Sequence, residues 1–201
     1  MSKDRPKRPP LSPAELLAKH DAPRREAERA AAKTAEVRAW RAAEATILAE
    51  LKAVDVAVDS VWDLVGAAES YPNALPVVIE HLERGGYPDE ITEALGRALG
   101  VRRAAPYWDR LVALYRNPRT AAERTGVVVA LTASASAERV EELIAMVQDR
   151  SLGTSRTAFI APILDHGARG GRRFVESLRD DPDLGEEAAA QLSKRPLRRP
   201  R

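Results

Sequence analysis

The side chains able to do chemistry in this chain are few and scattered. Cysteine is absent, which removes thiolate nucleophiles, disulfides and cysteine-ligated metals. His20, His81 and His166 fall on separate predicted elements, and no His-Glu dipeptide occurs. No metal and no cofactor is expected from that set. A phosphate-cradling glycine loop, a serine elbow and a close carboxylate dyad are all missing. Gly85-Gly86 and Gly170-Gly171 read as turns between helices. Trp108-Asp109 lies on a predicted helix near Arg102, Arg103 and Arg110, and the tryptophan reads as core. What remains is charge. Glu80, Glu83, Asp109, Glu141, Glu142 and Glu176 sit on predicted helices that each form the second member of a pair. Carboxylates so placed would attract a basic partner and speed its encounter, and the same pattern also suits an ordinary solvated helix face.

The elements that carry these residues are helices. Alanine, leucine, arginine and glutamate dominate, aromatics make up 4% of the 201 residues, and the only alternating stretch is Val54 to Val58, so an all-helical chain is expected. Pro72 and Pro76 open an apolar helix through Leu75, Val78, Ile79 and Leu82 that stops at Gly85-Gly86. Pro88-Asp89 begins the next, with Ile91, Ala94, Leu95, Ala98 and Leu99 on one face. The first type returns at Pro106, 30 residues after Pro76, with Trp108, Leu111, Leu114 and Tyr115. A third pair runs from Ala121 to Leu131 and from Ala137 to Val147, and a fourth from Arg156 to His166 and then past Gly170-Gly171 through Phe174 and Val175. Asp59-Ser60 is read as the cap of a helix through Val61, Trp62, Leu64, Val65 and Ala68, the first member of the first pair. A last helix, Leu184 to Leu192, closes the array.

Ahead of the pairs, Ser12-Pro13-Ala14-Glu15 reads as a capping box for a short helix, and Asp21-Ala22-Pro23 as a fresh cap for a long one to about Val54. Its first half has only alanine as an apolar stripe. From Val37 onward, Trp40, Ile47, Leu51 and Val54 follow steps of three and four, with Glu44 interrupting the seam. That half must pack on the body or on a second copy.

Charge is divided along the chain. The first 50 residues carry 11 Lys/Arg against 8 Asp/Glu, the last eight carry 5 against none, and the body between holds 16 against 22. The basic character belongs to the ends, so nucleic-acid contact would rest on them and on Arg102 and Arg103, while the body repels phosphate. No run of 18 apolar residues occurs and the N-terminus has no apolar signal core, so a membrane is not expected and the cytoplasm is.

Equivalent apolar positions in the second helices, Leu82, Leu114, Val147 and Leu178, are 32, 33 and 31 residues apart, the mark of a helix-pair solenoid. At two junctions an Asn or Asp ends one pair and an Arg opens the next: Asn117 with Arg124, and Asp149 with Arg156. On these features residues 58–193 resemble bacterial HEAT-repeat proteins of the kind first described in phycobilin lyases. The resemblance implies a short α-solenoid of about four helix pairs in which Arg124 and Arg156 pair with the junction acid and with helix ends. Metal-binding HEAT enzymes that hydroxylate a modified lysine carry His-Glu pairs, which this chain lacks. A HEAT-like DNA glycosylase family uses tryptophans and an aspartate, to which Trp108 and Asp109 would correspond, with a basic concave face in place of the acidic one here.

The expected plan is therefore a disordered basic Pro-rich tail (1–11), an N-terminal helical segment with the long helix (12–57), a HEAT-like repeat domain (58–193) and a basic C-terminal tail (194–201). The expected function is non-catalytic: a bacterial adaptor, or an inhibitor of the immunity type, binding a basic protein on its concave face through Glu80, Glu83, Asp109, Glu141, Glu142 and Glu176. The alternative is nucleic-acid binding through the tails and Arg102 and Arg103.

Overall fold

The computed structural model describes residues 13–67 and 70–196; the two terminal tails of the expected plan lie outside them, apart from Lys194 to Pro196. All nine α-helices among the described residues belong to an all-α fold, and no strand occurs among these residues. The chain divides into two compact units, Met1–Ala42 and Ala43–Arg201.

The described part of the first unit is the leading stretch of α1 (Pro13–Ala53). The expected break at Asp21-Ala22-Pro23 does not form, and the helix runs on through Pro23. A proline in a helix removes one hydrogen bond, and the Ala, Arg and Glu residues that follow have the propensity to carry the helix past it. Residues 24–36 are exposed, Val37 and Trp40 are half-buried, and Arg24 Nε pairs with Glu28 at 3.0 Å one turn on.

The second unit begins inside the same helix. Glu44, Ile47 and Leu51 are buried there, so the last turns of α1 dock within the chain. Glu44 does not break the seam. Its carboxylate accepts from Ser60 Oγ at 3.1 Å and from Val61 N at 3.2 Å, satisfying an orphan amide at the start of the next element. That element is one 3₁₀ turn, Val61–Leu64, closed by a capping box between Ser60 and Asp63. The full helix expected there stops early because Val65 is extended and Gly66 takes φ 79°.

The helices that follow lie close to the positions that the apolar periodicity predicts. Helices α2 (Ala74–Arg84) and α3 (Asp89–Ala98) are joined by Gly85 and Gly86, both left-handed at φ 65° and 82°. A 3₁₀ segment, Arg102–Tyr107, leads into α4 (Trp108–Arg116); α5 (Ala121–Ser134) and α6 (Val140–Gln148) follow. The expected single helix from Arg156 begins as a 3₁₀ segment, Arg150–Phe159, bent at Gly153, and becomes α7 (Ile160–His166). Then come α8 (Ala168–Ser177) and α9 (Gly185–Lys194).

One glycine assignment is corrected. Gly170 and Gly171 lie inside α8, and the turn into it is made at Gly167 and Ala168, the latter at φ 47°. Gly171 is needed for packing, because a methyl there would run into the Ile163 carbonyl of α7.

Within the second unit α3 packs on α2 and α5, α5 also on α4, and α7 on α6, α8 and α9. A close crossing joins α3 to α5 through two glycines: a Cβ on Gly96 would lie 2.5 Å from the Gly126 carbonyl carbon. Leu95, Leu99, Leu111, Val127, Leu131 and Phe159 fill the core around it.

Candidate functional site

Successive second helices are tied together by charged side chains. Glu83 near the end of α2 meets Arg110 of α4 at two points, Oε1 to Nε at 2.7 Å and Oε2 to Nη2 at 2.5 Å. The pair marks both groups. Arg110 hydrogen bonding holds the Glu83 carboxyl below its ordinary value, and the same bonds raise Arg110, with Glu80 adding to the field. The next rung joins α4 to the entry of α6, where Arg139 Nη1 lies 3.2 Å from Asp109 Oδ1 and 3.5 Å from Glu142 Oε2. Trp108 donates its indole N–H to Glu142 at 2.6 Å. Arg110 and Arg139 also lie over the rings of Tyr107 and Trp108, at 5.6 and 5.5 Å.

The structure thus brings Glu83, Asp109 and Glu142 into one ladder with Arg110 and Arg139, with exposed Glu80 contributing only to the field at Arg110. Among the ion-paired side chains Asp109 is the most open, with 83% of its side chain exposed. Glu141 is exposed on α6. Glu176 stands apart, paired with Arg172 on its own helix at 3.1 Å.

No family model, curated protein or solved structure matches this chain.

The geometry of the other candidates speaks for itself. Trp108 is buried, with Arg139 on one face of the ring and Glu142 on its N–H, so neither the ring nor its donor is open to a base. Arg102 and Arg103 are exposed in the 3₁₀ segment before α4. Arg195, at the start of the expected basic tail, is committed to Asp165 of α7 through Nε at 2.6 Å and Nη2 at 2.9 Å.

Of the two junction arginines, Arg156 closes a helix end, whereas Arg124, expected to do the same beside a junction acid, reaches a carbonyl inside the later 3₁₀ segment Arg150–Phe159. Arg156 is buried, caps the last turn of α6 by donating to Val147 O at 2.9 Å, and takes Asp183 at 2.8 Å as its acid rather than Asp149. The Asp149 carboxylate instead accepts from Ser151, and those bonds lower its pKa. Arg124 donates to Leu152 O at 2.8 Å and lies over the Tyr115 ring. Burial pushes the Tyr115 hydroxyl up, against a hydrogen bond with Ser155.

Two buried clusters were missed from sequence. Arg119 donates to the Leu82 and Glu83 carbonyls at the end of α2 and pairs with Glu123, whose side chain is 0% exposed. Thr120-Ala121-Ala122-Glu123 has the spacing of a capping box, which could have flagged it. The second cluster centres on His81, fully buried, with Nδ1 2.5 Å from the Tyr87 hydroxyl. Its Nε2 lies 3.0 Å from a Glu50 carboxylate oxygen, an ion-pair distance without hydrogen-bond alignment. Sequence offered no signal for this one, since Glu50 and His81 are 31 residues apart on different helices. His166 is exposed, and the His20 side chain lies outside the described ones. Among the described residues no group of three or more His, Asp or Glu is arranged to hold a metal ion, and no helix is long and apolar enough to cross a membrane.

Proposed function

We propose that this chain is a HEAT-like repeat module without a catalytic role, a bacterial cytoplasmic adaptor or inhibitor whose second-helix face binds a basic protein. The repeat part of this reading is supported by the regular return of paired helices and by arginines that cap the end of a preceding helix. The observation that carries the partner class is the ladder: three carboxylates, Glu83, Asp109 and Glu142, share the two guanidinium groups of Arg110 and Arg139, and Glu80 adds its charge to the field at Arg110. The excess is negative. Because the ladder is already cross-linked, its carboxylates are held in place before a partner arrives, which lowers the ordering cost of binding.

Glu83 and Glu142 support neighbours, so Glu80 and Asp109 are the residues to reverse. Wild-type protein and a Glu80→Lys/Asp109→Lys variant would each be immobilised in source lysate and the captured proteins identified. A basic protein held by the first, bound at least about 10-fold more weakly by the purified variant, and released by salt is the expected result. Equal capture by both, or capture of nucleic acid alone, would overturn the reading and direct attention to Arg102, Arg103 and the ends.

A further inference from the structure

Residues 24–36 of α1 are exposed without interruption, about three and a half turns of helix with no side covered. Alanine is the only apolar residue type among them, so they add nothing to a core. Their cations, with those of the next turn, are uncommitted. Arg29, Lys33, Arg38 and Arg41 are exposed and make no hydrogen bond or ion pair among the described residues. In the second unit, by contrast, Arg97, Arg110, Arg119, Arg139, Arg156 and Arg172 each meet a carboxylate. Net charge divides the same way: Met1–Ala42 carries 11 Lys/Arg against 6 Asp/Glu, and Ala43–Arg201 carries 21 against 24.

The free cations stand on two flanks. At about 100° per residue, Ala30, Thr34 and Val37 form one strip of short, uncharged side chains along the helix. Arg29 and Lys33 fall on one side of that strip, Arg38 on the other, and Arg41 at its trailing end. Lys33, Arg38 and Arg41 border a groove of about 470 Å³ over Ala30, Thr34 and Val37, and no carboxylate lines it. Glu28 and Glu36 lie on the far side of the helix, and Glu26 lies at the leading edge of the strip, one turn before Ala30.

We propose that this face of α1 binds double-stranded DNA in the major groove, with the short strip toward the base edges and Arg29, Lys33, Arg38 and Arg41 reaching phosphates on both walls. The dimensions agree: a helix with its side chains is about 10–12 Å across, and the major groove of B-form DNA is about 12 Å wide. A flat acidic protein surface would meet one flank and leave the other unpaired. The major groove of duplex RNA is too deep and narrow to admit the helix, and a strip of alanine, threonine and valine offers no apolar face to enter a bilayer. Contacts of this kind go to phosphates, so they hold the duplex without reading its sequence.

The test is fluorescence anisotropy of the full chain with a labelled duplex of about 20 base pairs, from about 50 to 200 mM salt. Circular dichroism confirms that each variant keeps its helix content. Wild type is expected to bind with a log–log salt slope of about −4, one unit for each free cation. Arg29→Gln/Arg38→Gln removes one cation from each flank while keeping helix propensity. It should weaken binding at least about 10-fold at the lowest salt and make the slope shallower by about 2. Arg169→Gln/Arg173→Gln, which removes two exposed cations from α8, should change affinity by less than about 2-fold. A wild type that does not bind at the lowest salt, an α1 variant that binds as wild type does, equal losses from the α1 and α8 variants, or a single strand bound as tightly as the duplex would each overturn the proposal. None of these outcomes bears on the basic partner of the second-helix face, whose test reverses Glu80 and Asp109 and reads captured protein.

Discussion

Glu83 and Arg110 form a two-point ion pair between α2 and α4, at 2.7 and 2.5 Å, across 27 residues of sequence. It ties the end of α2 to α4.

The pair gives stability a definite pH dependence. Glu83 titrates below its ordinary value of 4.5, first because Arg110 hydrogen-bonds its carboxylate. A depressed folded value means the contribution is complete above about pH 4.5 and fades as pH falls through the lowered value. Both side chains are more than a third exposed, so solvent holds the pair to about 0.5–1 kcal/mol. Urea unfolding of Glu83→Gln should show that deficit at pH 7, and the gap to wild type should close on acidification below pH 4.5. A gap independent of pH would mean that the pair does not contribute through charge.

At Gly126 two effects oppose each other. Alanine in a helix interior is favoured over glycine by about 1 kcal/mol, whereas a Cβ at Gly126 would sit 2.7 Å from Glu93 O and 2.9 Å from the Gly96 Cα. Backbone cannot yield as a side-chain tip can, so overpacking by about 1–3 kcal/mol wins. Gly126→Ala is expected to lower the melting temperature, and Gly126→Val to lower it further. A more stable Gly126→Ala protein would show that the crossing has slack.

Arg119 and Glu123 should be strongly non-additive. Removing Arg119 leaves a fully buried carboxylate without its cation and the Leu82 and Glu83 carbonyls without a donor, at a cost of about 3 kcal/mol. Arg119→Ala/Glu123→Ala is expected to recover part of that loss, as denaturant midpoints in a double-mutant cycle would report.

The fold class and most helix positions were legible because three- and four-residue apolar steps and Pro or Gly boundaries are local signals. The helix expected from Val61 is one turn to Leu64, because apolar content alone does not distinguish a helix from one buried turn; Gly66 is the visible stop, and Ala68 lies outside the described residues. Gly170-Gly171 was misread for the opposite reason. Glycine pairs signal turns only where no helix must approach closely, and Ile163 approaches here. The carboxylates of the candidate face could be named from sequence, and the Arg139–Glu142 and Arg172–Glu176 pairs have local spacing, but Glu83 with Arg110 and Asp109 with Arg139 are pairings across 27 and 30 residues that leave no trace in it.

Because α1 belongs to both units, its amides should not exchange with solvent deuterium as one set. From Glu44 to Leu51 the helix is anchored by buried side chains and by the Glu44 carboxylate, so opening there requires breaking the second unit, and protection should approach that of global unfolding. Along residues 24–36, all exposed, opening costs only helix propensity and occasional pairs such as Arg24 with Glu28. A single unbroken helix would then show a gradient of exchange rates over several decades, steepest near Trp40, and its leading turns would be renewed many times for each opening of the rest.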